Sequence, residues 1–193
     1  MTVRTFIALE LSEVAKAGIL ACVDELRDRK VRASWARPAT IHLTLRFLGD
    51  LEESILPSVI EAVERAAAGI APFEMATSGI GAFPSPARPR VLWSGIDAPD
   101  ALYELHAALE DELKALGFAR ERRSFRPHVT LGRLRDSQGS LERLLRELPA
   151  PEGRTRVESV RVMKSTLAPS GATHDVIGEV PLGDRSDSPS NPE

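Results

Sequence analysis

The chain is poor in the residue types that announce many functions. It holds a single cysteine, Cys22, in 193 residues, so an intrachain disulfide is impossible and a cysteine-built metal site is excluded. Cys22 reads as a small core residue, because no basic or histidine-rich sequence surrounds it. Aromatic residues make up 5% of the chain, with one tyrosine, and no base-stacking strand motif is visible. No run approaches the roughly 18 consecutive apolar residues of a membrane span. The start, MTVRTFIALELSEVAK, lacks the basic segment and long apolar stretch of a signal peptide. A cytoplasmic protein with no membrane partner is the expectation. Charge of one sign is also missing in excess: 25 Lys+Arg stand against 28 Asp+Glu, a net charge of −3. That excludes a broadly basic nucleic-acid coat and confines any nucleic-acid contact to a local patch.

What is present is a globular balance, with 42% hydrophobic and 27% charged residues. The length suits one ordinary domain, or two small lobes sharing a core. Residues 3–9 read as a strand. Ser12 can cap a helix to about Arg29, with Val14, Leu20, Val23 and Leu26 as its buried stripe. A short strand is expected near Ser34–Trp35. Residues 41–48 alternate: Ile41, Leu43, Leu45 and Phe47 on one face, His42, Thr44 and Arg46 on the other. A helix over roughly 52–67 and a strand over 72–80 follow. FPSPARP at 83–89 holds three prolines, resists helix and central strand, and is the expected meeting point of two halves. Then come a strand at 90–96, a helix from Asp100 to about Leu116 closed by Gly117, and an alternating strand at 128–134. A helix at 140–148 and a hairpin of 155–167 with 174–182 complete the pattern, and a frayed tail is expected over 183–193. From Val3 to His42 is 39 positions, and from Arg90 to His128 is 38. This matched spacing suggests one duplicated unit, hence an α+β fold of two pseudo-symmetric lobes with helices outside.

Two of the four histidines, His42 and His128, are followed two residues later by a threonine, Thr44 and Thr130. On a strand these pairs project to one face, so each half presents an imidazole beside a hydroxyl. Two imidazoles can divide the work of base and acid in one displacement at phosphorus. Threonine hydroxyls can donate to non-bridging phosphate oxygens without adding charge. A metal site would need further ligands. The nearest acids that follow, Asp50 and Asp136, lie eight residues beyond each histidine, past the strand ends. No serine or cysteine nucleophile motif is present. His106 reads as a surface or boundary residue, and His174, after a glycine-containing turn, as a turn or rim residue.

HLTLRFLG at 42–49 and RPHVTLGRL at 126–134 resemble the two H-x-T-x signatures of the 2H phosphoesterase superfamily. The chain most closely resembles its RNA 2′,3′-cyclic phosphodiesterases, also called 2′-5′ RNA ligases. The similarity extends through RTFIALEL, GIGAFPSPARPRVLWSGI at 79–96 and VMKSTLAPSGATHDVIGEVPL at 162–182. At His174 the resemblance leads one to expect an aromatic such as tyrosine instead. It implies one bilobal domain over 1–182, with antiparallel sheets facing a central groove. It also implies hydrolysis of RNA 2′,3′-cyclic phosphate ends to 2′-phosphomonoesters, with His42 as proton donor and His128 as proton acceptor. No metal or cofactor is expected, and the family's ligase name implies ATP-independent 2′-5′ joining as well. The alternatives are a 2H phosphodiesterase of small cyclic nucleotides or 2′-5′ oligonucleotides, and a non-catalytic RNA-binding module. Arg120, Arg122, Arg123, Arg126, Arg133 and Arg135 crowd the second motif, with Glu121 among them. Arg46 shares the strand parity of His42 and Thr44. Simple alternation turns Arg133 to the opposite face unless Gly132 introduces a bulge. Thr44, Thr130, Arg46 and Arg133 are the candidate substrate-binding residues. A monomer acting on RNA with a cyclic-phosphate end is the expected state.

Overall fold

Ser12 starts the first helix as its sequence predicts. Its hydroxyl accepts from the backbone of Ala15 at 3.1 Å and donates to the carbonyl of Arg154 at 2.6 Å. This cap therefore also ties the helix to a strand more than a hundred residues away. The computed structural model describes residues 1–136, 139–168 and 171–183. In chain order the elements are β1 (Thr2–Glu10), α1 (Glu13–Asp28), β2 (Ala33–Trp35), β3 (His42–Glu52), α2 (Leu56–Ala67), β4 (Phe73–Ser85), β5 (Arg88–Asp97), α3 (Asp100–Ala115), β6 (His128–Leu134), α4 (Glu142–Glu147), β7 (Arg154–Val157), β8 (Ser159–Ala168) and β9 (Gly171–Pro181). No described helix is long and apolar enough to cross a membrane.

The strands run β7-β4-β5-β6-β3-β1-β8-β9, with β2 added to β6, and each pairing is antiparallel. This path is two four-stranded halves, β7-β4-β5-β6 and β3-β1-β8-β9, and the strand bearing His-x-Thr is innermost in each. Among the described residues the halves join at one pairing, Leu43 with Val129. The α+β class and the antiparallel halves are as expected; the two sheets form one hydrogen-bonded path.

The chain does not divide where its prolines suggested. Residues 83–89 form the closed end of the β4–β5 hairpin, with Pro84 opposite Pro89 and Ser85 opposite Arg88. Prolines are tolerated there because the ladder ends. The chain instead crosses between the halves around β2, from β3 to β4, and again at Glu158. Arg154–Val157 pairs with β4 in one half, while β8, one residue later, pairs with β1 in the other. The expected single strand at 155–167 is thus two strands serving opposite halves, and the sheet must curl to bring them together. Gly183 pairs with Ile70; the rest of the expected tail lies outside the described residues.

Helix α1 lies over β6 and β7, in the half to which β1 does not belong, and α2 packs on β8, β9 and α3. One half is thus covered partly by the other half's chain, and one core cluster spans both. In α1 the buried stripe is Ala15, Ile19, Cys22, Val23 and Leu26. Val14, expected inside, is 69% exposed, because the inward face is set by Ala15 and its i+4 and i+8 partners. Gly117 closes α3 with φ +92°, the left-handed conformation its position called for.

Ser12→Ala removes the helix cap and the hydroxyl's bond to Arg154 but leaves the residue 12 backbone N–H bonded to Thr155. It should lower unfolding free energy by about 1–2 kcal/mol, the usual worth of an N-cap hydroxyl. Urea denaturation checks this, and an unchanged midpoint would show that the cap carries no stability.

Candidate active site

The site is built from the seam between the halves. Leu43 and Val129 are fully buried and face each other across it. Extending that antiparallel register by one residue puts His42 across from Thr130 and Thr44 across from His128. The two histidines are then diagonal neighbours, a relation with a typical spacing of about 7–8 Å. All four side chains line a single groove of about 920 Å³.

Two bulges decide what else enters the groove. The β1–β3 register steps from Ala8–Thr44 to Ile7–Arg46, leaving Leu45 without an opposite residue. The β5–β6 register steps from Trp93–Thr130 to Leu92–Gly132, leaving Leu131 in the same position. In both motifs, therefore, the leucine after the threonine is the extra residue, and strand alternation reverses there. This inverts the expectation for Arg46, while for Arg133 the bulge alternative holds, with Leu131 and not Gly132 as the extra residue. Arg133 turns into the groove. Arg46 turns behind the sheet, where its 10%-exposed side chain pairs with Glu110 at 3.3 Å and Glu121 at 3.0 Å and donates to the Ala119 carbonyl. Phe47, expected in the core, occupies the position equivalent to Arg133. It lines the groove, 46% exposed, with the Arg4 guanidinium 4.6 Å from its ring centre.

Each motif histidine is flanked by two rings. His42 stacks on Phe6 at 4.8 Å and meets His174 edge-on at 5.3 Å. His128 meets Phe83 edge-on at 5.0 Å and lies 6.4 Å from Trp93. The His128 Nδ1 lies 2.6 Å from the Arg126 carbonyl oxygen. A carbonyl can only accept, so Nδ1 donates, and Nε2 of the neutral ring is left as the acceptor. Burial, reinforced by His174, lowers the His42 pKa to about 4.

The lining of the groove includes five arginines, Arg4, Arg27, Arg37, Arg133 and Arg135, and no aspartate or glutamate among the described residues. Asp50 pairs with Arg4 at 3.9 Å and Asp136 with Arg32 at 3.5 Å. Of the arginines clustered before the second motif, Arg120 pairs with Asp111 on α3. Arg4, Arg27, Arg37 and Trp35 have no signal in the motifs, because they arrive from separate segments. His174 is a groove residue packed on His42 rather than a rim residue. His106 stacks on Phe125 at 3.9 Å, away from the groove. The buried Cys22 thiol is pushed up to about 11 by burial and by Glu25, which leaves it inert as a nucleophile.

Such a groove, with paired imidazoles and hydroxyls at the seam of an antiparallel fold, is the arrangement the two-histidine phosphoesterase resemblance leads one to expect. The family model described as the 2′-5′ RNA ligase superfamily matches residues 13–168. The chain is 32% identical over 176 residues to the RNA 2′,3′-cyclic phosphodiesterase of Thermotoga maritima, covering 91% of this chain and 94% of that protein. It is 33% identical over 174 residues to the protein of the same name from Methanothermobacter thermautotrophicus, covering 89% and 94%. Among solved structures, the TT0787 protein of Thermus thermophilus superposes with a TM-score of 0.79 at 26% identity, covering 96% of this chain and all of that one. Apo LigT of E. coli shares the fold, with a TM-score of 0.78 at 20% identity over 94% and 98% of the two chains. The chain belongs to the 2′-5′ RNA ligase superfamily.

Arg46→Ala leaves Glu110 buried, only 9% exposed, without its cation. It should cost about 3 kcal/mol of stability, the penalty of an orphaned buried charge; calorimetry at neutral pH measures it, and a loss below about 1 kcal/mol, the range of a surface pair, would mean the pair is only superficial. His42 has a folded pKa of about 4 against an unfolded value near 6.5. The unfolded chain therefore takes up its proton first. This stability contribution is complete above about pH 6.5 and is lost as pH falls toward 4, by about 2–3 kcal/mol. Denaturant unfolding at pH 7 and pH 4.5 should show the drop in the wild type and a smaller one in His42→Asn; equal drops would contradict the buried neutral imidazole.

Proposed function

We propose that this protein hydrolyses RNA ends bearing a 2′,3′-cyclic phosphate to 2′-phosphomonoesters. The observation that carries this reading is a groove with five arginines around two histidine–threonine pairs and no acid among its described lining residues, in a chain whose net charge is −3. Positive charge is concentrated where a polyanion must lie and nowhere dominates the whole molecule. The names of the Thermotoga and Methanothermobacter relatives support the same substrate. RNA is then the partner, and the cytoplasm the compartment.

His128 is the proton acceptor: its Nδ1 is held by the Arg126 carbonyl, so Nε2 takes a proton from the attacking water. A bond forms from the water oxygen to phosphorus, and the bond from phosphorus to the ribose 3′-oxygen breaks. His42 delivers its proton to that departing oxygen, which leaves the phosphate on the 2′-oxygen. In the free protein His42 holds a proton weakly, which makes it a strong acid. The entering phosphate supplies the negative charge that lets it stay protonated until the bond breaks. Thr44 and Thr130 donate to the non-bridging oxygens, and Arg133 neutralises their charge. A terminal 5′-hydroxyl in place of water gives a 2′-5′ linkage by the same steps, without ATP.

His42→Ala and His128→Ala should each slow hydrolysis of a cyclic-phosphate oligonucleotide by about 10²–10⁴-fold, the weight of a positioned acid or base. Thr44→Ala and Thr130→Ala should cost roughly fivefold each, one neutral hydrogen bond. Because two imidazoles supply both proton transfers, activity should persist in EDTA. End analysis of the product by phosphorus NMR should show a 2′-phosphate. A 3′-phosphate would reverse the assigned direction, and wild-type turnover in either histidine variant would remove that residue from the reaction.

A further inference from the structure

The two motif histidines are held alike but not identically. Phe83 stands edge-on to His128 at 5.0 Å and 83°. His174 stands edge-on to His42 at 5.3 Å and 84°, and it also meets Phe6 edge-on at 5.0 Å. The same ring arrangement thus recurs in both halves, built in one from a phenylalanine and in the other from an imidazole. His174 lies opposite Ser165 in the β8–β9 ladder, faces the groove, and has a buried Nδ1 with no hydrogen-bond partner. A ring placed only for packing has no need of a buried polar atom, since an unpaired one costs stability.

We propose that His174 is a positioning residue of the first motif. It fixes the His42 imidazole in the groove as Phe83 fixes that of His128, and, unlike Phe83, it can carry charge beside the bound phosphate. The proposal rests on the functional reading above for its kinetic consequences but not for its structural one. The charged and titratable groups around His174 are His42 on β3, Asp175 beside it on β9, Lys164 opposite Asp175 on β8, and Arg37, whose guanidinium donates to the Ala172 carbonyl. Burial holds the His174 pKa below its ordinary value; the Thr173 backbone and Asp175 oppose this, and Arg37 adds to it. Protonation of His174 makes proton uptake by His42 harder, so the two imidazoles compete for charge until a phosphate enters to balance both.

Two variants separate ring from charge. His174→Phe keeps an edge-on ring and removes the ionisable group; His174→Ala removes both. With a 2′,3′-cyclic-phosphate oligonucleotide, His174→Ala should lower kcat by about 10- to 100-fold, the cost of an ångström-scale misplacement of a reacting group, with KM changed far less. His174→Phe should recover most of that kcat at pH 8 and shift the pH profile. In the free protein, the His42 titration followed by imidazole NMR should move to higher pH in both variants. Equal kcat in the alanine and phenylalanine variants, or an unmoved His42 titration, would overturn the proposal. Failure of the wild-type protein to cleave any cyclic-phosphate end would overturn the functional reading instead, and the NMR titration would then decide the positioning role alone.

Discussion

The pairing of Leu43 with Val129 is the contact on which the site depends. Two half-sheets, each hydrogen-bonded through its own ladders, meet there along their innermost strands. Both leucine and valine are fully buried, so the seam cannot slip by one residue without turning its apolar pair to solvent and its histidines inward. The register that buries the seam is thus the register that sets His42 beside Thr130 and Thr44 beside His128. The geometry of the candidate site and the packing of the core are one constraint.

The bulges at Leu45 and Leu131 extend this logic. Without them, each motif strand would continue its alternation and the residue three beyond the threonine would face the core. With them, Phe47 and Arg133 face the groove from equivalent positions, one apolar and one cationic. The near-symmetry of the backbone therefore carries an asymmetric lining. Asymmetry also marks the histidines. His128 has one nitrogen committed to a carbonyl, which suits a base. His42, packed against Phe6 and His174, resists protonation in the free protein, and under the proposed mechanism the substrate's phosphate supplies the charge that keeps it an acid. Environments that differ in this way let two identical side chains take opposite roles.

Much of this was legible in the sequence for physical reasons. The Ser12 cap, the alternation around each His-x-Thr pair and the matched spacing of the halves are local signals, and local backbone preferences suffice to read them. The face of Arg46 and Arg133 was not legible by alternation, because one extra residue in a strand reverses every position after it. A comparison of HLTLRF with HVTLGR could have found it: Gly132 aligns with Arg46, so a bulge suspected in one motif belongs in both. The split at Glu158 was hidden because two strands destined for opposite halves read as one uninterrupted alternating run. The groove arginines Arg4, Arg27 and Arg37 come from β1, α1 and the loop after β2, and only the curl of the sheet assembles them. The groove position of His174 is not legible in the sequence, because its partner, His42, is distant in sequence and near only across β1 and β8.

The central claim is that both imidazoles address one phosphate group. Imidazole NMR of the free protein and of its complex with a 2′-phosphate-ended oligonucleotide tests it most directly. Binding of one phosphate should raise the titration midpoints of His42 and His128 together, with a common ligand dependence. A complex in which only one of the two responds would show that the histidines do not share a phosphate, and the two-histidine account would fail.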